Sequence, residues 1–97
     1  MKIAVIGGGA AGLVASIIAG RTGAEVTIYE KMNRVGKKIL ATGNGRCNYT
    51  NMNLSLDCYH GKHIDIADKV LDFFGLEKTL GFFEDLGIYP YIDESGK

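Results

Sequence analysis

The stretch KIAVIGGGAAGLVASIIAGRTGAEVTIYE, residues 2–30, decides the fold. Its first part, residues 2–6, is a short β-branched run bounded by glycines, which is typical of a strand buried on both faces. From residue 10 the apolar residues fall at helical spacing in one stripe, and Gly23 is suited to end the helix near residue 22. Residues 26–30 predict a second strand. The three elements together predict one βαβ unit with parallel strands.

The glycines between the first strand and the helix have the GxGxxG spacing. Gly7 permits a tight turn, Gly9 lets the backbone approach a pyrophosphate, and Gly12 lets the helix pack closely on the strand. The free N–H groups at the start of the helix would face the phosphates. Glu30 closes the second strand, where its carboxylate would accept hydrogen bonds from ribose hydroxyls and disfavour a 2′-phosphate. These features predict an adenine dinucleotide site without separating NAD from FAD.

The composition narrows the class of protein and of partner. The 97 residues, 46% apolar and 23% charged, allow one small globular domain at most. Eleven basic residues balance eleven acidic ones, so no nucleic-acid or membrane partner is expected. The uncharged run over residues 3–20 has the character of a signal peptide or short membrane span, but its glycines disfavour a spanning helix. Cys47 and Cys58 match no zinc or redox motif, and we expect reduced thiols in a cytoplasmic protein.

Beyond the βαβ unit, residues 31–62 show weak periodicity and many turn formers, and a loop of this length usually binds something or is disordered. Two helices follow, closed by Gly75 and Gly87, and we expect them to pack on one another with their phenylalanines in the core. Residues 88–92 predict an edge strand, because their proline cannot donate a ladder hydrogen bond, and residues 93–96 predict a turn. A strand without a partner predicts that the chain is the front piece of a longer protein.

The segment EKMNRVGKKILATGNGRCNYTN, residues 30–51, carries a more specific signal than the glycines. Together with the GGGAAG before it and the helices and proline-bearing strand after it, this segment resembles the flavoprotein family described as HI0933-like or BaiN-like, also known as NAD(FAD)-utilising dehydrogenases. The resemblance covers essentially the whole chain. It implies an α/β fold, a Rossmann-like βαβ FAD/NAD(P)-binding domain of which residues 1–97 are the N-terminal part. It also implies FAD as the cofactor of an oxidoreductase, with NAD(P)H as a candidate reductant.

The resemblance further implies which residues bind the cofactor. The pyrophosphate would contact a first group, which comprises Gly7, Gly9, Ala10, Ala11 and Gly12. The adenosine ribose would be bordered by Glu30 and Lys31, and a second phosphate-side element would comprise Gly36, Lys37 and Lys38. A polar loop would run along FAD toward the flavin ring and would comprise Asn44, Gly45, Arg46, Cys47 and Asn48. The missing C-terminal remainder of the chain would complete the substrate site, so no catalytic residue is named.

Several of these residues have alternative explanations. Lys37 and Lys38 could be solvated surface charges, and Arg46 could cap a helix or pair with a carboxylate. A catalytic thiol at Cys47 is disfavoured, because Met52 stands where the second cysteine of a redox pair would be. The lack of a fourth ligand and of a standard spacing also disfavours a metal site at three candidate ligands, Cys58, His60 and His63.

Two other functional hypotheses remain open at this point. The chain could be a small non-catalytic nucleotide-binding module for NAD or AMP, although the TGNGRCN segment counts against this. It could also be a piece that binds nothing and self-associates through unpaired strand edges. A visible absorbance band retained by the purified protein would favour the flavin hypothesis over both.

Overall fold

The computed structural model describes all 97 residues, which form two compact units, residues 1–47 and residues 48–97. The first unit contains β1 (Lys2–Ile6), α1 (Ala10–Arg21), β2 (Glu25–Tyr29), α2 (Lys37–Ala41) and a 3-10 turn (Thr42–Gly45). The second unit contains a 3-10 turn (Leu56–Cys58), α3 (Ile64–Phe73) and α4 (Leu76–Asp85). The predicted α/β class is confirmed, and short helical turns replace part of the predicted long loop.

The strands β1 and β2 pair in parallel along their full length. Helix α1 contacts both strands, which confirms the predicted βαβ unit. The Gly7 N–H donates to the Tyr29 carbonyl oxygen at 2.8 Å and carries the pairing one residue past β1. The second strand begins and ends one residue earlier than predicted, because the pairing stops at Tyr29 and leaves Glu30 in the following connection.

The prediction that β1 is buried on both faces is wrong. Ile3 and Val5 are half-buried, whereas Ile6 is 82% exposed, because α1 covers only one face of the sheet. The apolar stripe of α1 divides in the same way, and Val14 and Ile18 are exposed. None of the helices has the length and the apolar run that a membrane crossing needs.

Helix α1 crosses the end of β1 at backbone contact distance. A Cβ atom built on Gly12 would lie 1.9 Å from the Gly7 carbonyl oxygen and 3.4 Å from Val5 Cγ1. A side chain larger than hydrogen therefore cannot occupy position 12 without moving the helix. The helix ends at Arg21, one residue before the predicted end near residue 22, and Gly23 follows in the left-handed region as expected.

The phenylalanines of the second unit divide between its core and its surface. Phe82 is buried, and Phe83 lies edge-on to it and 4.3 Å from the Tyr49 ring centroid. Phe73 and Phe74 are exposed, so the core position predicted for them is wrong. Helix α3 contacts the 3-10 turn at Leu56–Cys58 rather than packing along α4, and this leaves its last turn uncovered.

The glycines that follow the helices of the second unit have different conformations. Gly87 has φ +80 and ends α4, as predicted, with its N–H donating to the Glu84 carbonyl oxygen at 2.8 Å. Gly75 has φ −90 and is instead the N-cap of α4. Its extended conformation separates α3 from α4 and starts the new helix directly after Phe74.

The C-terminal residues 88–92 do not form the predicted edge strand, because the sheet consists of β1 and β2 and offers them no partner. The predicted turn is confirmed. Asp93 Oδ1 accepts hydrogen bonds from the Ser95 hydroxyl at 2.7 Å and from the Ser95 and Lys97 N–H groups, and these bonds lower the pKa of the Asp93 carboxyl. The Met52 N–H donates to the Gly96 carbonyl oxygen at 2.7 Å, which ties the turn to the start of the second unit.

We predict that Gly12→Ala lowers the free energy of unfolding by about 2 to 3 kcal/mol, because the new methyl group collides with the Gly7 carbonyl oxygen. The matched control is Gly20→Ala in the same helix, whose Cβ meets nothing within 4 Å. This control should gain about 0.5 to 1 kcal/mol from helix propensity. Urea unfolding followed by circular dichroism measures both, and equal stability of the two variants would contradict the close crossing.

Candidate functional site

The loop between β1 and α1 presents unpaired backbone donors. Gly9 is the N-cap of α1, and the first N–H that makes a hydrogen bond within the helix is that of Leu13, to the Gly9 carbonyl oxygen at 2.9 Å. The N–H groups of the first turn thus have no partner in the helix. No side chain caps this end, and the first turn holds no acidic residue. The positive end of the helix dipole is therefore open to an anion.

The three consecutive glycines of the loop have different surroundings. Gly7 has φ +96, which allows the chain to turn sharply at the end of β1. Gly8 is buried, and a Cβ there would lie 2.6 Å from Val35 Cγ1. A Cβ on Gly9 would meet nothing within 4 Å. The same is true of a Cβ on Gly7, but of these two glycines Gly9 lines the neighbouring cleft, so Gly9 is the position at which a ligand in that cleft can lie directly against the backbone.

Glu30 lies beside this loop, immediately after β2. Its Oε2 accepts a hydrogen bond from the Gly8 N–H at 2.7 Å, and its Oε1 accepts one from the Met32 N–H at 3.2 Å. These two hydrogen bonds hold the pKa of the Glu30 carboxyl below its ordinary value, and the bond from Gly8 has the larger effect. The group is an acceptor at the position that the sequence predicts for a ribose-binding carboxylate, and part of its capacity is used within the protein.

A cleft of about 290 Å³ opens between the loop, Glu30 and α2. Its lining residues come from the glycine loop, the connection between β2 and α2, and α2, and are Gly8, Gly9, Glu30, Met32, Arg34, Gly36, Lys37, Lys38 and Ala41. Three of them are cationic and one is anionic, so the cleft suits a ligand that carries more than one negative charge. The Gly36 N–H donates to the Gly8 carbonyl oxygen at 2.7 Å and joins the start of α2 to the glycine loop.

The structure brings some of the predicted site residues together and leaves others apart. Gly9, Glu30 and the GKK element share the cleft, and the residues that open α1 adjoin it in the chain. Lys31 is exposed and does not line the cleft. The polar loop lies in the turn that follows α2, while Asn48 belongs to the second unit.

Sequence reasoning missed Met32 and Arg34, both of which line the cleft. A usable signal was present, because Arg34 stands two residues before Gly36 in the cationic run RVGKK. Gly8 was also missed, and it lies in the loop as the buried residue between two glycines with predicted roles.

The predicted cofactor loop adopts an unusual left-handed turn. Gly43 and Asn44 have φ +58 and φ +54, and Cys47 has φ +53. The turn is closed by the Arg46 N–H, which donates to the Gly43 carbonyl oxygen at 3.0 Å, and by the Cys47 N–H, which donates to that of Thr42 at 3.2 Å. Left-handed backbone costs about 1 to 2 kcal/mol at most residues other than glycine, and asparagine tolerates it better, so it is Cys47 that the hydrogen bonds of the turn hold against its local preference.

Cys47 is half-buried and Cys58 is exposed, and both are free thiols. No group of three or more histidine, cysteine, aspartate or glutamate side chains is arranged to hold a metal ion. The site is therefore defined by backbone donors, one carboxylate and several cations.

The family model described as "HI0933-like protein Rossmann domain" matches residues 1–97. The chain belongs to the HI0933-like Rossmann-domain family. This match confirms the family that the segment at residues 30–51 resembles, and it agrees with the parallel βαβ unit of the structure.

Three enzymes from other organisms are similar in sequence to most of this chain. The chain is 51% identical over 90 residues to a 3-dehydro-bile acid delta(4,6)-reductase of Clostridium scindens, a match that covers 91% of the chain and 22% of that protein. It is 35% identical over 92 residues to a ribosomal RNA dihydrouridine synthase of Escherichia coli, covering 79% of the chain and 23% of that protein. The corresponding Haemophilus influenzae enzyme is 39% identical over 93 residues, covering 96% and 23%. The chain thus spans less than a quarter of the length of these relatives.

We predict that Arg34→Gln and Lys37→Gln each weaken ADP binding about twofold to tenfold at low salt, because each removes a cation that lines the cleft. Both variants should also show a smaller loss of affinity as salt is raised, since fewer charge contacts remain to be screened. Lys69→Gln, an exposed cation of the second unit, is the control and should bind ADP like the wild type. Calorimetric titration of the nucleotide-free protein at two salt concentrations decides, and an Arg34→Gln result equal to that of the control would contradict the prediction.

Proposed function

We propose that residues 1–97 are the FAD-binding N-terminal portion of a longer flavin-dependent oxidoreductase. The observation that carries this proposal is a cleft lined by the open backbone of Gly9 and by the Glu30 carboxylate, next to the uncapped N–H groups of α1, which begins directly after Gly9. Backbone N–H groups at a helix start fit a pyrophosphate, and a carboxylate beside them fits the hydroxyls of a ribose.

The residues present fit the ADP half of FAD. Pockets for small molecules generally measure about 300 to 1,000 Å³, so a cleft of about 290 Å³ suits part of a dinucleotide rather than the whole. The N–H groups of the first turn of α1 would hold the pyrophosphate, helped by Lys37 and Lys38. Each carboxylate oxygen of Glu30 accepts one hydrogen bond from the backbone and keeps a further lone pair for a ribose hydroxyl.

The choice of FAD over NAD rests on the TGNGRCN segment and on its resemblance to the flavoprotein family. Its turn exposes Asn44 and Arg46, whose amide and guanidinium groups can donate to ribityl hydroxyls and to the polar edge of a flavin ring. When bound, FAD supplies the two-electron redox chemistry, and the protein contributes position, electrostatics and exclusion of water. NAD(P)H as reductant and a cytoplasmic location belong to the same proposal.

The names of the relatives suggest a substrate class for the whole enzyme. A delta(4,6)-reductase that acts on a 3-dehydro-bile acid saturates carbon–carbon double bonds conjugated to a ketone. A dihydrouridine synthase saturates the uracil double bond, which is also conjugated to a carbonyl. In both reactions two electrons and two protons add across an electron-poor C=C bond. We infer that the protein reduces a C=C bond conjugated to a carbonyl group.

The size of that substrate is a separate question, because the relatives act on a steroid acid and on ribosomal RNA. The higher identity to the bile acid reductase favours a small molecule. The balanced charge, eleven basic and eleven acidic residues, also favours it over a polyanion. The expectation of no nucleic-acid partner accordingly stays a prediction.

We predict that the purified full-length protein carries a visible flavin band that survives dialysis, and that Gly9→Ala abolishes it while unfolding at the same temperature as cofactor-free wild type, since bound FAD itself raises the unfolding temperature. The new methyl group meets no protein atom and instead fills the space that the pyrophosphate would take. Gly20→Ala, which also adds a methyl group in open space, should keep the band. A colourless wild type, or a Gly9→Ala variant that retains full flavin content, would refute the assignment of the site.

We further predict that protein whose flavin has been reduced with dithionite regains its visible band without oxygen when a 3-oxo-4-ene steroid is added. The saturated 3-oxo steroid is the control and should leave the band bleached, because it lacks the electron-poor C=C bond. Uridine-containing ribosomal RNA is tested in parallel. Reoxidation by neither the unsaturated steroid nor the RNA would exclude the proposed substrate class.

A further inference from the structure

We propose that Glu30 is a positioning residue, which holds the glycine loop in its ligand-binding conformation before any ligand arrives. This role is additional to a contact with ribose and rests on the proposed function of the cleft. The evidence for this role is the set of hydrogen bonds made by Glu30 and Gly8, together with the packing around Gly8.

Gly8 is held by hydrogen bonds on both sides of its backbone. Its N–H donates to Glu30 Oε2 at 2.7 Å, and its carbonyl oxygen accepts from the Gly36 N–H at 2.7 Å. The first of these joins residues 22 positions apart in the chain. Two short hydrogen bonds on one buried glycine therefore connect the loop, the end of β2 and the start of α2.

The packing around Gly8 leaves no room for a side chain at this position. A Cβ at this position would lie 2.6 Å from Val35 Cγ1 and 3.3 Å from Glu30 Oε2. The carboxylate and the Val35 side chain thus enclose Gly8, while the neighbouring Gly9 is open. This difference fixes which glycine turns its backbone to the ligand.

Glu30 links the Gly8 N–H to the Met32 N–H by accepting a hydrogen bond from each, and this link, called the Glu30 bridge below, requires a carboxylate. Both Glu30 oxygens accept a hydrogen bond from a backbone N–H, one from Gly8 and one from Met32. A glutamine of the same size has one acceptor oxygen and one NH₂ group, and the NH₂ group would face an N–H donor. Glu30→Gln therefore breaks one side of the bridge without creating a cavity, and a hydrogen bond to a charged group contributes more than one between neutral groups.

The bridge also assigns the N–H groups of the loop to separate tasks. The Gly8 N–H is engaged by Glu30, so the pyrophosphate would be bound from Gly9 onward, by the open donors of the first turn of α1. Arg34, Lys37 and Lys38 line the same cleft. The ionised carboxylate that the bridge needs is favoured by the backbone hydrogen bonds to Glu30, that from Gly8 first, which lower its pKa.

The test compares ADP with 2′,3′-dideoxy-ADP, which keeps the phosphates and lacks the ribose hydroxyls. Calorimetric titration of the cofactor-free full-length protein gives the affinity of the wild type and of Glu30→Gln for both ligands. If Glu30 positions the loop, the variant loses affinity for both, by at least about tenfold for the dideoxy ligand. Glu25→Gln, which changes an exposed carboxylate at the start of β2, is the control and should bind both ligands like the wild type.

A second measurement tests how firmly the glycine loop is held when no ligand is bound. Hydrogen exchange of the peptide that contains Gly8 should be faster in cofactor-free Glu30→Gln than in the wild type or in Glu25→Gln, because the Gly8 N–H then faces either an NH₂ group or a neutral amide oxygen, which is a weaker acceptor than a carboxylate. Glu30→Asp, which keeps the charge on a shorter side chain, should give the same faster exchange if Glu30→Gln does not fold.

The outcomes separate this inference from the proposed function. A loss confined to ADP, with unchanged affinity for the dideoxy ligand and unchanged exchange at Gly8, would show that Glu30 acts through the ribose alone and would overturn the inference. Wild-type protein that binds neither ADP nor FAD would overturn the proposed function, while faster exchange at Gly8 in the variants would still support the bridge.

Discussion

The close crossing of α1 over the end of β1 is the constraint on which the first unit depends. Because a Cβ on Gly12 would lie 1.9 Å from the Gly7 carbonyl oxygen, the helix can begin directly above the strand end only if its third residue is glycine. This proximity places the first turn of α1 beside the carboxyl end of the parallel pair. In open α/β sheets, ligands bind at that edge. The site is therefore a consequence of how tightly helix and strand pack.

The same loop places a packed, hydrogen-bonded glycine next to an open one, which is the glycine proposed to contact the ligand. Gly8 is buried and hydrogen-bonded to Glu30 and Gly36, whereas Gly9 is open on the side of the cleft. The carboxylate that a ribose would contact is thus also a support for the loop that would contact the pyrophosphate. A binding loop supported in this way has less conformational entropy to lose when a ligand binds. This explains how a glycine-rich segment can provide a defined site.

Local sequence predicted the elements whose determinants are local. Residues 7–12 specify the turn and the helix start through glycine spacing, and Gly87 specifies the end of α4 through its left-handed conformation. The predicted edge strand at residues 88–92 failed because strand formation requires a partner, and none is supplied by β1 or β2. The predicted core role of Phe73 and Phe74 failed for a related reason, since helical spacing reports which residues share a face but not whether another element covers that face.

The sequence by itself determined the βαβ unit, the glycine loop and the family, because these depend on glycine spacing, on apolar runs and on a specific motif, all of which are read along the chain. Only the tertiary structure decided that Glu30 bonds to the Gly8 N–H, that Arg34 and Met32 join the cleft, and that Gly9 rather than Gly8 is open. Those facts concern atoms far apart in the chain, or the direction in which a backbone group points. Such contacts are fixed by packing and by long-range hydrogen bonds, which residue order does not encode in any local pattern.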